Sequence, residues 1–330
     1  MKLGTSYFGN RILRHVAEDM EDLSRKHFTY VVHTFSENDF NFYRKTMKEI
    51  IKISKDKGLE THIDPWGVGK VFGGEAFSQY ISIHPDVCQV LSDGAPAGIA
   101  CPNNPEFRKF IHEWEDAAVE TGADYLFWDE PHFYLPGWMG GRPDTWGCRC
   151  EFCKRKFEEQ TGSPMPEIET DEVRRFKQSS IRDFLQEMIT RGHEKGVKNS
   201  LCILPGSTEN TDALQQLASL EHLDNFGTDP YWYAAKRDVE EYVSDFSRKV
   251  KEVCDTLGRE GHIWIQGFKV PAGREEEIRR AVTIAVEAGI RNLSVWGYDA
   301  CSFISWIAPD NPRKTWDVVC EAFASVKDLT

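Results

Sequence analysis

The chain has 330 residues, 40% hydrophobic and 28% charged, which supplies ample core material and excludes wholesale disorder. A formal net charge of −13 works against a polyanionic partner, because nucleic-acid binding is driven by phosphate neutralisation. A neutral or cationic ligand fits better. No stretch approaches a membrane-spanning length and MKLGTSYFGN has no long apolar run, so a soluble, cytoplasmic protein is expected, with no membrane partner.

Taken in order, the chain alternates apolar runs with amphipathic segments. Leu3 to Phe8 reads as a first strand, followed by Arg11 to Lys26, where Ile12, Val16, Met20 and Leu23 recur at helical spacing. Phe28 to Phe35 is a second strand, and Ser36 with Asp39 makes a capping box that opens a helix lasting to Gly58. Leu59 to Asp64 is the third strand. It leads into a long connection over 65–103, and long ordered connections are commonly functional. Asn104 and Pro105 occupy the N-cap and first position of a helix that Gly122 stops.

The fourth strand, Tyr125-Leu126-Phe127-Trp128, ends on adjacent carboxylates, Asp129 and Glu130, before Pro131 blocks further pairing. A second long connection, 131–170, carries a Gly/Pro/Trp-rich excursion and a short helix from Glu151. A helix from Asp171 to Lys195 precedes strand five, Ser200 to Leu204. A helix over Thr211 to Leu220 precedes strand six, Leu223 to Thr228, which exits into Asp229-Pro230-Tyr231-Trp232. Strand seven is His262 to Phe268. A helix from Glu275 to Ala288 leads to strand eight, Asn292 to Trp296, and the last helix opens near Thr315. Eight such alternations without hairpin signals predict an α/β fold, a single (β/α)8 barrel domain over residues 1–330 with a cysteine-rich metal-binding loop after strand four. No GxGxxG follows the first strand, which disfavours an open doubly wound sheet.

Chemistry in such a barrel lies at the carboxyl ends of the strands. The residues there are Tyr7, His33, Asp64, Trp66, Asp129, Glu130, Asp229, Tyr231, Trp232, Gln266, Trp296 and Asp299. Aromatic faces stack on sugars while carboxylates and amides bind hydroxyls, so this set fits a carbohydrate pocket. Each has a blander reading: an indole at a strand end is commonly packing, Asp64 and Asp299 suit turn caps, and His33 and His62 suit satisfied barrel positions.

Nine cysteines is an odd number, five of them scattered singly as Cys88, Cys202, Cys254, Cys301 and Cys320, a pattern of reduced thiols rather than a disulfide framework. Cys148, Cys150 and Cys153 form CxCxxC and supply three corners of a tetrahedral zinc site. Cys101, before the CPNNPEFR helix opening, is the candidate fourth ligand, ahead of His132. Four thiolates leave no open position for water, so such a zinc is structural.

Cys101 opening CPNNPEFR, an acid ending the fourth strand and then CxCxxC together resemble the zinc-binding pattern of glycoside hydrolase family 42 β-galactosidases, within the clan A barrel glycosidases. The resemblance implies that Glu130 is the general acid/base, with Asp129 standing where the family has Asn. The family's strand-seven nucleophile is Glu, and this chain has Gln266 in WIQGF. What carries over is the barrel, the zinc and Glu130, not the substrate. The expected activity is hydrolysis of a small saccharide or glycoside, with Glu130 as acid and Asp229 as partner carboxylate. A sugar isomerase or lyase using a divalent cation, and a barrel that binds carbohydrate without cleaving it, are the rival readings. Self-association into a homo-oligomer is left open.

Overall fold

A computed structural model describes residues 1–8, 10–137, 141–205 and 211–329; residues 138–140 of the predicted Gly/Pro/Trp-rich excursion lie outside them. Eight parallel strands close into a barrel. In chain order its elements are β1 (Lys2–Tyr7), α1 (Leu13–Arg25), β2 (Tyr30–Thr34), α2 (Glu37–Phe42), α3 (Arg44–Asp56) and β3 (Glu60–Asp64). The connection to the next barrel strand holds α4 (Gln79–Ile83), β4 (Cys88–Val90) and β5 (Pro96–Ala100). Then come α5 (Pro105–Glu120), β6 (Tyr125–Asp129), α6 (Glu151–Thr161), α7 (Asp171–Glu194), β7 (Lys198–Ile203) and α8 (Thr211–Ala218). The chain continues through β8 (Asn225–Thr228), α9 (Trp232–Ala235), α10 (Val239–Leu257), β9 (Glu260–Ile265), α11 (Glu276–Glu287), β10 (Asn292–Val295) and α12 (Pro312–Val326). The barrel closes as β1-β10-β9-β8-β7-β6-β3-β2.

The local signals act as read. Gly58, Gly122, Gly196 and Gly289 sit at φ of 79°, 81°, 79° and 92°, each two residues past a helix, a conformation that costs glycine little. Ser36 and Asp39 form the capping box, but the helix breaks at Tyr43, where Arg44 Nε donates to the Phe40 carbonyl at 2.7 Å. Two differences from the sequence reading stand out. The 65–103 connection contains an antiparallel pair, β4 with β5, where no hairpin was expected. Its strands are three and five residues long, too short for a period-two pattern to register. And α10, for which no helix is predicted above, fills the sixth unit with Val243, Phe246, Val250 and Val253 buried against the barrel.

Side chains on a strand alternate between faces, and here the two faces form two cores. Leu3, Tyr7, Val31, Ile63, Leu126, Trp128, Leu201, Phe226, Ile263 and Val295 pack outward against the helices. Tyr30, Val32, Phe127, Cys202, Trp264 and Trp296 form a separate cluster inside the cylinder. There the Tyr30 and Tyr125 rings sandwich His62 at 4.8 and 4.3 Å, and Phe127 meets Trp264 at 5.4 Å. The interior is too tight for additions. A Cβ at Gly227 would lie 2.1 Å from the His262 backbone carbonyl, which no rotamer change relieves. Gly227→Ala is therefore expected to destabilise the fold by about 3 kcal/mol, read as a lowered midpoint in urea unfolding with unchanged slope.

Candidate active site

The inward register brings Asp64, Asp129 and Asp229 to the carboxyl ends of β3, β6 and β8, and all three are buried. Glu130 follows at φ 43°, a left-handed conformation that costs a non-glycine residue of order 1 kcal/mol and clusters at functional sites. It is held by its N–H donating to Cys202 O at 2.9 Å, and its own carbonyl meets His132 Nδ1 at 2.6 Å. Gly73, in the loop after β3, donates its N–H to the Asp129 carbonyl at 3.0 Å. A Cβ there would lie 2.6 Å from both Asp129 Oδ2 and Glu130 Oε2, so a side chain at this position would push on both carboxyl groups.

The Glu130 and Asp229 carboxyl groups are hydrogen-bonded to each other. Two carboxylates in contact hold one proton between them. Burial raises both groups, and their contact couples them, so the pair together retains a proton that exposed acids would have lost. Asp64 is raised well above the ordinary range by burial and by the charges of Glu130 and Glu75, and Asp129 by burial, Glu130, Asp64 and Glu75.

Above these acids lies a cavity of about 330 Å³. Glu75, Asp129, Glu130, Asp229 and Lys269 supply its charged lining, and Tyr231, Tyr242, Trp264, Phe268, Trp296 and Trp306 its aromatic walls. Trp306 is 64% exposed at the rim. Trp66 stands beside this mouth, its ring stacked on Phe8 at 5.3 Å and its Nε1 donating to Glu75 Oε2 at 3.2 Å. The sequence reading missed Glu75, Tyr242, Trp264, Phe268 and Trp306. Trp264 stands two positions before Gln266, on the same strand face, which was the available signal.

Five predicted contacts are placed elsewhere. Tyr7 and His33 lie on the outward register: the Tyr7 hydroxyl donates to Asp19 of α1 at 2.6 Å, and His33 Nε2 meets Ser54 Oγ of α3 at 2.8 Å. Burial lowers the His33 pKa to about 3, a neutral packing imidazole. Trp232 faces α11, its Nε1 donating to Glu277 at 3.0 Å. Gln266 is buried and spends both ends of its amide on backbone, accepting from Tyr233 N at 2.9 Å and donating to Phe268 O at 3.0 Å. Asp299 caps a turn, accepting from Ser302 Oγ at 2.6 Å.

The four cysteines meet as expected. Cys101, Cys148, Cys150 and Cys153 are buried with all sulfurs within 4.8 Å of one another. Cys101 Sγ lies 3.4 Å from Cys153 Sγ and 3.6 Å from Cys150 Sγ. That is far too long for disulfides and close to the roughly 3.8 Å between thiolates sharing a tetrahedral zinc. Backbone Cys150 N–H and Asn103 Nδ2 donate to Cys148 and Cys153 sulfurs at 3.4 and 3.3 Å, as suits thiolates. The quartet fits a structural metal, which it would hold with no free position. It ties the chain after β5 to the start of α6, while Arg149 N and Ser92 N stitch the intervening loop to the β4–β5 pair at 2.7 and 2.8 Å. Among the described residues it is the one group of three or more His, Cys, Asp or Glu with all ligand atoms in such reach, so the acids at the mouth do not converge as a divalent-cation site would.

No family model matches this chain, and no curated protein does. Its fold is that of a TIM barrel. Solved structures similar to it include a β-amylase catalytic domain from Paenibacillus polymyxa, at TM-score 0.68 and 11% identity over 99% of this chain and 98% of that one. A β-galactosidase from Bacillus circulans sp. alkalophilus matches at TM-score 0.69 and 12% identity, over all of this chain and 56% of that one. A D-psicose 3-epimerase matches at TM-score 0.52 and 11% identity, over 99% and 98%. At these identities the likeness is one of fold.

Two outcomes are expected. Asp64 binds its proton more tightly folded than unfolded, so its contribution weakens stability as pH rises above the unfolded value of about 3.9. Asp64→Asn should raise Tm at pH 7, with the gain vanishing near pH 4 in a calorimetric pH series. Purified protein should carry about one zinc per chain by elemental analysis, and Cys101→Ser should lose the zinc and lower Tm.

Proposed function

We propose that this barrel hydrolyses a small glycoside, with Glu130 and Asp229 as its paired carboxyl groups. The observation that carries the reading is the proton-sharing Glu130–Asp229 contact on the floor of an aromatic-walled cavity. Glycoside hydrolysis needs one carboxyl group to protonate the leaving oxygen and another to attack or to activate water. A pair whose environments hold a single proton supplies one of each. The carboxyl groups of retaining enzymes stand about 5 Å apart and those of inverting enzymes roughly 6.5–9.5 Å. Either spacing leaves room for substrate between the two groups, so substrate has to part the hydrogen-bonded pair, its glycosidic oxygen replacing Asp229 as the partner of Glu130. In that step Glu130 acts as general acid, passing the pair's single proton to the glycosidic oxygen, and Asp229 is the ionised partner. Trp296, Trp264 and Tyr231 line the space a sugar ring would fill. The fold likeness to a β-amylase, a β-galactosidase and an endo-β-1,4-mannanase is compatible with this chemistry. With Gln266 committed to backbone, the reading uses no strand-seven nucleophile. The zinc would only hold the loop that flanks the pocket, and no step passes through it.

The test is a screen of nitrophenyl glycosides of both anomeric configurations. Glu130→Gln should lower kcat by about 100- to 10,000-fold on poor leaving groups, and less on dinitrophenyl glycosides that leave without protonation. Asp229→Asn should lose activity on both, with azide restoring it if Asp229 attacks carbon directly. Unchanged turnover in Glu130→Gln would remove it from the reaction. Binding without product on any glycoside would favour a carbohydrate-binding barrel instead.

A further inference from the structure

The acids at the mouth are under-compensated. Asp64, Asp129, Glu130 and Asp229 have other carboxylates as their principal charged neighbours. The nearby cations Lys70 and Lys269 act instead on Glu75 at the edge of the group, and Lys269 Nζ sits 3.6 Å over the Trp306 ring. Asp64 is 0% exposed and neither carboxylate oxygen has a hydrogen-bond partner; Asp229 Oδ1 is also buried without one. Buried acceptors of this kind cost free energy until a donor arrives. A compact metal ion is a poor occupant, because these oxygens do not gather into one shell. A larger cation with several N–H donors fits better, since Trp264 and Trp296 line the same cavity as Asp129, Glu130 and Asp229 and aromatic faces attract ammonium groups.

We propose that the sugar taken by this mouth carries a protonated amino group, as an amino sugar or its glycoside, and that Asp129 at the cavity wall receives the ammonium, with the fully buried Asp64 adding its charge from outside the lining. The inference takes from the glycosidase reading only that the ligand is a sugar. Calorimetric titration of the native protein with methyl glycosides of glucosamine, galactosamine and mannosamine tests it, each beside its N-acetyl and parent-sugar counterparts. In at least one series the amine should bind at least about tenfold more tightly than both neutral forms. Asp64→Asn or Asp129→Asn should shrink that preference to about twofold. Equal or tighter binding of neutral sugars in all three series overturns the proposal, as does no binding of any amine or a preference that survives both substitutions. Tight Mg²⁺ or Mn²⁺ binding abolished by Asp64→Asn would overturn it in favour of a metal. Amine preference without any hydrolysis would sink the glycosidase reading and leave this one standing; hydrolysis of neutral glycosides without amine preference would do the reverse.

Discussion

Closing eight parallel strands into a cylinder assigns every strand side chain to one of two environments, the interior or the helix-facing layer, with a period of two residues. The candidate site depends on that alternation. It turns Asp64, Asp129 and Asp229 inward in line with Tyr30, His62, Phe127, Trp264 and Trp296, and it turns Tyr7, His33 and Trp128 outward toward α1, α3 and α5. A shift of one residue in any strand would exchange its inward and outward sets. The acids therefore share the mouth because three strands keep the same phase at their ends, reinforced by glycines such as Gly227 and Gly73 where a Cβ would collide.

The same arrangement sets function against stability. Four buried or half-buried carboxyl groups whose principal charged neighbours are one another retain protons at pH values where exposed acids have lost them. A fold selected only for stability would fill those positions with apolar or amide side chains. Their presence beneath a ring of indoles argues that the cost is offset when a ligand binds. The left-handed Glu130 backbone is a second local cost at the same place.

The cysteine quartet supports this from the side. It lies away from the acids, joining the chain after β5 to the start of α6, so that the excursion after Glu130 is anchored at both ends. Hydrogen bonds from Arg149 and Ser92 extend the anchor to the β4–β5 pair.

Much of this was legible in the residues. Alternating apolar and amphipathic runs, helix-ending glycines and the Ser36 capping box determined the barrel, its eight strands and most of its longer helices, because each is a local preference of a few neighbouring side chains. CxCxxC with Cys101 determined the cluster, since thiolate spacing is itself a geometric statement. What tertiary structure alone decided was direction and distance: that Tyr7, His33, Trp232, Gln266 and Asp299 serve packing, backbone or turns, that Glu75 and Trp306 reach the mouth from loops, and that Glu130 touches Asp229. Those outcomes depend on strand phase, loop path and the closure of residues nearly 100 positions apart, none of which leaves a mark on the local sequence.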